Sequence, residues 1–138
     1  MPRKKNRKKS FEIKFYERLV NNEPNFAEAL SCLGEAYTRG GLFNEGLEVD
    51  LRLAKLKPDD PVVYYNLACS YSLLGRIDEA FSALKKSILL GYEDFSYILK
   101  DKDLENIRRD KRFLRLMNKI NSRFLKAKSI GSLQSEVR

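Results

Sequence analysis

A pattern that returns every 34 residues constrains this chain more than any other feature. Leu33, Gly34, Tyr37 and Gly41 recur as Leu67, Ala68, Tyr71 and Gly75, while Gly46 recurs as Ala80 and Pro24 as Pro58. Residues of like size at one spacing indicate one supersecondary unit used twice. A period of this length is that of stacked helical hairpins, in which each unit buries its apolar face only against its neighbour. Surfaces built this way bind other molecules, so the period argues for a binding module and against an enzyme.

The second copy shows the unit most clearly. Asp60 is a good N-cap, and Pro61 follows at the first helical position, where its missing N–H costs nothing. Tyr64, Leu67, Ala68, Tyr71 and Leu74 then keep the three-and-four spacing of one helical face, and Gly75 suits the left-handed residue that ends a helix. Asp78 is placed to cap a second helix carrying Ala80, Phe81, Leu84 and Ile88, which ends at Gly91. A connection this short makes the two helices neighbours. Ala68 and Ala80, with Gly34 and Gly46 in the first copy, are small where the pair packs closely. In the first copy, Asn25 with Glu28 three residues on resembles a weak capping pair. Ahead of it, Ser10 opens a helix whose apolar positions are Phe11, Phe15, Leu19 and Val20, and this half repeat covers the apolar face of the first copy.

These residues resemble the tetratricopeptide repeat family, whose pattern runs W-x2-L-G-x2-Y, a small residue, a large apolar residue and a proline. In the second copy Tyr64 takes the tryptophan place, followed by Leu67, Ala68, Tyr71, Ala80 and Leu84. In the first copy Leu33, Gly34, Tyr37 and Pro58 match, but Leu30 replaces the tryptophan and Asp50 stands where a large residue is usual. Tyr92 takes the proline place of the second copy. Asp101, Asp103, Leu104, Ile107, Arg108, Asp110, Arg112 and Phe113, after Gly91 to Phe95, resemble a pattern found at the ends of bacterial arrays of this family. From its letters that element is an irregular pair of short helices followed by a longer one striped by Phe113, Leu116, Met117, Ile120 and Phe124.

The resulting expectation is an all-α, right-handed helical-hairpin solenoid of six to seven helices. Its parts are a disordered basic arm (1–9), a capping half repeat (10–24), two repeats (25–58 and 59–92), C-terminal capping helices (93–127) and a flexible tail (128–138).

Composition narrows the chemistry. Across 138 residues, 43% hydrophobic content suffices for one buried core. No run approaches a membrane helix, and no apolar stretch of a secretory leader follows the basic start, which predicts a cytoplasmic protein. Cys32 and Cys69, on the first helices of successive repeats, are expected as free thiols in a reducing compartment. The chain has no histidine, so the commonest general base and metal ligand are missing. Gly40-Gly41 is a helix end and no phosphate loop, and Asp101 and Asp103 lack the further ligands of a calcium loop, so structural capping explains them. Neither catalytic residues, nor a metal, nor a cofactor is expected.

The favoured function is recognition of a peptide or helix of a partner protein on the concave face, which the first helices line. There the side chains left over from packing are Glu28, Ser31, Glu35, Thr38 and Arg39, then Val62, Tyr65, Asn66, Cys69, Ser72 and Leu73. Tyr65 and Leu73 have no packing role by periodicity and are the expected anchors. Family members that grip a C-terminal carboxylate use a lysine and asparagine pair on the first helix, an asparagine on the next, then lysine and arginine on the third. Asn66 takes the middle place, but Ser31 and Glu35 replace the first pair and Lys100 stands alone on the third helix, which disfavours that mode.

Charge supplies the competing class. The net +8 divides into +5 on residues 1–24, −4 on 25–99 and +7 on 100–138. Arg3, Lys4, Lys5, Arg7, Lys8 and Lys9 crowd the start. Arg112, Arg115, Lys119, Arg123 and Lys126 share an arc of about 80° on the last helix. These residues could hold nucleic-acid phosphates, or less favourably lipid headgroups, although no aromatic side chain interleaves them to stack bases. They would also attract an acidic protein partner. A third reading is self-association of so short an array.

Overall fold

The computed structural model describes residues 9–136, with side chains described as far as Arg123. Its helices are α1 (Phe11–Asn22), α2 (Ala27–Arg39), α3 (Phe43–Leu56), α4 (Pro61–Leu73), α5 (Ile77–Leu89), α6 (Phe95–Lys100), α7 (Glu105–Arg108) and α8 (Lys111–Glu136). A 3-10 turn, Lys102–Leu104, precedes α7. Among the described residues there are no strands, and the α helices number eight because the cap adds a single-turn helix to the expected set.

The helices pack as sequential hairpins, α2 with α3 and α4 with α5, joined by α3 against α4 and preceded by α1 on α2. Local chemistry sets many of the boundaries. Ser10 Oγ accepts the Ile13 N–H, and the Asp60 side chain accepts the Val62 N–H ahead of Pro61. Gly41 and Gly75 hold φ of 76° and 74°, which lets the Leu42 and Arg76 N–H groups reach back to the Tyr37 and Tyr71 carbonyls.

Other expected caps are not made. Helix α2 starts after Phe26 without a side-chain cap, so Asn25 does not serve there. Helix α5 starts at Ile77, placing Asp78 inside the first turn, where it suits the helix dipole and pairs with Arg112 instead.

The core divides in two. Toward the start, Ile13, Val20, Ala29, Leu30, Leu33, Tyr37 and Leu53 are buried together. Phe11 and Phe15, expected to cover the first copy, face outward at 85% and 49% exposure, because Ile13 and Val20 with Tyr16 and Leu19 form the inward side of α1. The second cluster joins Leu67, Ala68, Phe81 and Leu84 to Ile98, Leu104, Ile107, Phe113 and Leu116 of the cap. Full burial of a leucine or isoleucine contributes about 1.5–3 kcal/mol, so the cap stabilises the second repeat substantially. It is also tied by polar contacts: Arg108 donates to the Ile98 and Asp101 carbonyls, and Asn106 donates to the Ser72 carbonyl over 2.7 Å.

The two copies solve one packing position differently. Ala68 and Leu84, both fully buried, occupy it in the second copy. In the first copy a Cβ on Gly34 would lie 3.3 Å from Asp50 Oδ1 and from Val49 Cγ1. The missing methyl leaves room for a buried carboxylate, and Ser70 of α4 donates a hydrogen bond to it. Helix α8 carries helical backbone to Glu136, past the boundary expected at 127 and through most of the segment expected as a flexible tail.

Candidate functional site

An open cleft of about 270 Å³ lies where α2, α3 and α4 meet the cap. Helix α2 contributes Ser31, Gly34, Glu35, Thr38 and Arg39, and α3 contributes Asp50 and Leu53. Tyr65, Asn66 and Cys69 come from α4, and Tyr97, Asp101 and Asp103 from the cap. Of the side chains expected on the concave face, the fold therefore brings together Ser31, Glu35, Thr38, Arg39, Tyr65, Asn66 and Cys69. Glu28, Val62, Ser72 and Leu73 lie outside it: Glu28 and Val62 are exposed elsewhere, Leu73 is half-buried and Ser72 is fully buried.

Tyr65 forms part of the floor and does not project as an anchor. It is 4% exposed, and its ring stacks on Tyr92 at 4.3 Å with the planes 2° apart. Its hydroxyl donates to Asp101 Oδ2 over 2.5 Å. Periodicity left Tyr65 outside the packing of its own hairpin, but the cap folds back along α4 and covers it. The same arrangement buries Cys69, whose Sγ lies 3.8 Å from Asp101 Oδ2. Burial, then the negative Asp101 and Asp103, pushes the Cys69 thiol up; burial and the neighbouring Cys69 and Asp101 do the same to the Tyr65 phenol. Both side chains stay protonated at neutral pH. Tyr92 is pushed up to about 12, first by burial.

The walls are acidic. Asp50 is 6% exposed, and burial raises its carboxyl to about 6 against the opposing pull of the Ser70 hydrogen bond. Asp101 Oδ1 accepts the Asp103 N–H over 3.0 Å, capping the 3-10 turn, and Asp103 is itself raised by burial and by Asp101. Glu35 stands exposed at the edge. Among the described residues the one cation of the lining is Arg39, which is paired with Glu12 of α1. Sequence reasoning missed Asp50, Asp101, Asp103 and Tyr97 as cleft residues. Asp50 carried a signal, a carboxylate where a large apolar residue is usual; the cap residues carried none, since their placement depends on how the cap folds back.

The basic residues are dispersed. Arg3, Lys4, Lys5, Arg7 and Lys8 lie outside the described residues, as does the Lys126 side chain. Lys9 pairs with Glu17 at 2.7 Å. Burial alone would raise the Glu17 carboxyl, but hydrogen bonds from Lys9 and Tyr37 outweigh it and hold it low. Arg112, expected in the free stripe, is bonded to Asp110 and Asp78 and lies 4.8 Å over the Phe81 ring, so its charge is already used within the chain. Arg115, Lys119 and Arg123 remain exposed and outside any ion pair among the described residues.

Cys32 and Cys69 are both free thiols. Among the described residues, no group of three His, Cys, Asp or Glu side chains is arranged to hold a metal ion, and no helix is long and apolar enough to cross a membrane.

Sequential helical hairpins at a 34-residue period form the arrangement of tetratricopeptide-like repeats. The chain is distantly homologous to a chloroplastic protein of Arabidopsis thaliana, with 31% identity over 126 residues. That alignment takes in 89% of this chain and 36% of the relative, so the chain spans about a third of the relative's length. No protein-family model matches the chain.

Proposed function

We propose that this chain is a short tetratricopeptide-type array with a closing cap, acting as a non-enzymatic protein-interaction module that holds a partner's peptide segment in the concave cleft. The observation that carries this reading is the cleft itself, built from the first helices of both repeats and closed by the cap. Helices packed on two cores hold its walls in place, so little ordering is needed on binding.

The lining favours a particular partner chemistry. Glu35, Asp50, Asp101 and Asp103 face a single arginine already engaged by Glu12. Such a cleft attracts a lysine or arginine side chain, with Ser31, Thr38 and Asn66 available to hydrogen-bond the backbone beside it. It repels a free carboxylate. The half-exposed Tyr97 ring, at 43%, gives the segment an apolar surface to pack on. The acidic partner suggested by total charge is therefore not the one for this face. Two free thiols suit a reducing compartment, in keeping with a cytoplasmic placement.

Selection of a random peptide library on the immobilised chain tests the reading. The expected result is enrichment of segments with a central basic residue, whose affinity falls at least about tenfold in Glu35→Lys. No enrichment, or enrichment indifferent to that substitution, overturns it.

A further inference from the structure

We infer that the chain carries a second binding surface, a groove between α5 and α8 that takes an acidic, amphipathic helical segment of a partner protein. The groove, about 200 Å³, has Ile88, Leu116 and Ile120 along its floor, and Leu89 at its edge is 77% exposed. The closing face of a stacked array meets water and would be expected to be polar. This one instead presents apolar side chains in a concavity.

Its rim carries a cation on each side. Lys85 stands on α5, with Lys119 and Arg123 opposite on α8, and among the described residues no acidic side chain lines the groove. None of the three belongs to an ion pair among the described residues, in contrast to Arg112 earlier on α8. An apolar floor with Lys85 on one side and Lys119 and Arg123 on the other is complementary to a helix with leucines on one face and carboxylates on its flanks. Nucleic acid would meet the cations but leave Ile88, Leu89 and Ile120 without apolar partners, and among the described residues no aromatic ring lines the groove to stack a base. A bilayer is flat, whereas this surface is recessed between two helices. The site lies apart from the acidic concave cleft and shares no lining residue with it.

Fluorescence anisotropy with the full chain tests the proposal. The probe is a labelled peptide of about 18 residues, five helical turns, with leucines at i, i+3, i+4 and i+7 and glutamates beside them. Comparison probes are a scrambled peptide of the same composition, a short DNA duplex and phosphatidylserine vesicles. The patterned peptide should bind best. Lys119→Glu and the uncharged change Leu89→Ser should each weaken it at least about tenfold, while Glu35→Lys leaves it unchanged. Both altered residues are exposed, so thermal melting should be unaffected. Absence of peptide binding, equal binding of the scrambled peptide, or tighter binding of duplex or vesicles overturns the proposal. Loss of peptide binding in Glu35→Lys would also overturn it, by moving the peptide to the concave cleft.

Discussion

Tyr65 donates its hydroxyl hydrogen to Asp101 Oδ2 over 2.5 Å, a bond spanning 36 residues that ties the first helix of the second repeat to the cap. Asp101 also caps the 3-10 turn through its other oxygen, and its carbonyl accepts from Arg108. One buried aspartate thus holds three segments together.

Removing only the hydroxyl should reveal the strength of that tie. Tyr65→Phe keeps the stack on Tyr92 but leaves a buried carboxylate oxygen short of its donor, at a cost of about 1–3 kcal/mol. Tyr65→Ala removes the ring as well and should cost about 3–5 kcal/mol. Urea denaturation followed by circular dichroism measures both. A Tyr65→Ala protein of unchanged stability would mean that the ring is not part of the core.

Asp50 gives a pH-dependent signature. Its carboxyl titrates at about 6 in the fold against 3.8 ordinarily, so the fold prefers the protonated form. The stability contributed by this group is full below about 3.8 and is lost as pH rises through about 6. Asp50→Asn keeps an acceptor for Ser70 and cannot ionise. It should therefore raise stability at pH 7.5 by at most about 3 kcal/mol, with little effect at pH 3.5. Melting curves of both proteins at the two pH values decide the matter; the same gain at both would place its origin elsewhere.

The two thiols should separate by reactivity. Cys69 is 7% exposed, and burial and Asp101 keep it protonated, whereas Cys32 is half-buried. Under native conditions a maleimide should label Cys32 first, and Cys69 only as fast as the cap opens. Labelling followed by peptide mass spectrometry distinguishes the sites. Equal rates would mean that the cap does not protect α4. Tyr65→Ala should accelerate labelling of Cys69 selectively.

Much of the fold was legible because its causes are local. Ser10, Asp60 and Gly75 act on the turns beside them, and the small pair Gly34 and Gly46 marks a close helix crossing wherever the hairpin closes. Of the side chains expected on the concave face of α2, Ser31, Glu35, Thr38 and Arg39 line the cleft and Glu28 does not. On α4, Tyr65, Asn66 and Cys69 line it, Tyr65 and Cys69 as buried floor, while Val62, Ser72 and Leu73 do not. Helical periodicity identifies which side chains share a face, but it does not say what will be laid against that face. On α1 the same ambiguity misplaced Phe11 and Phe15, since two apolar faces compete on one short helix and only packing against α2 selects between them.

The sequence by itself determined that the chain is helical, that it is built from a repeated hairpin, and where several of those helices begin and end. The tertiary structure alone decided that Asp50 and Asp101 would face one cleft, that Arg112 would be bound to Asp78, and that Lys119 and Arg123 would stand beside an apolar groove with no ion pair among the described residues. Helix boundaries follow from hydrogen bonds within a turn or two. The environment of a charge depends on contacts between residues tens of positions apart, and these exist only once the cap, which breaks the repeat, has docked on the array.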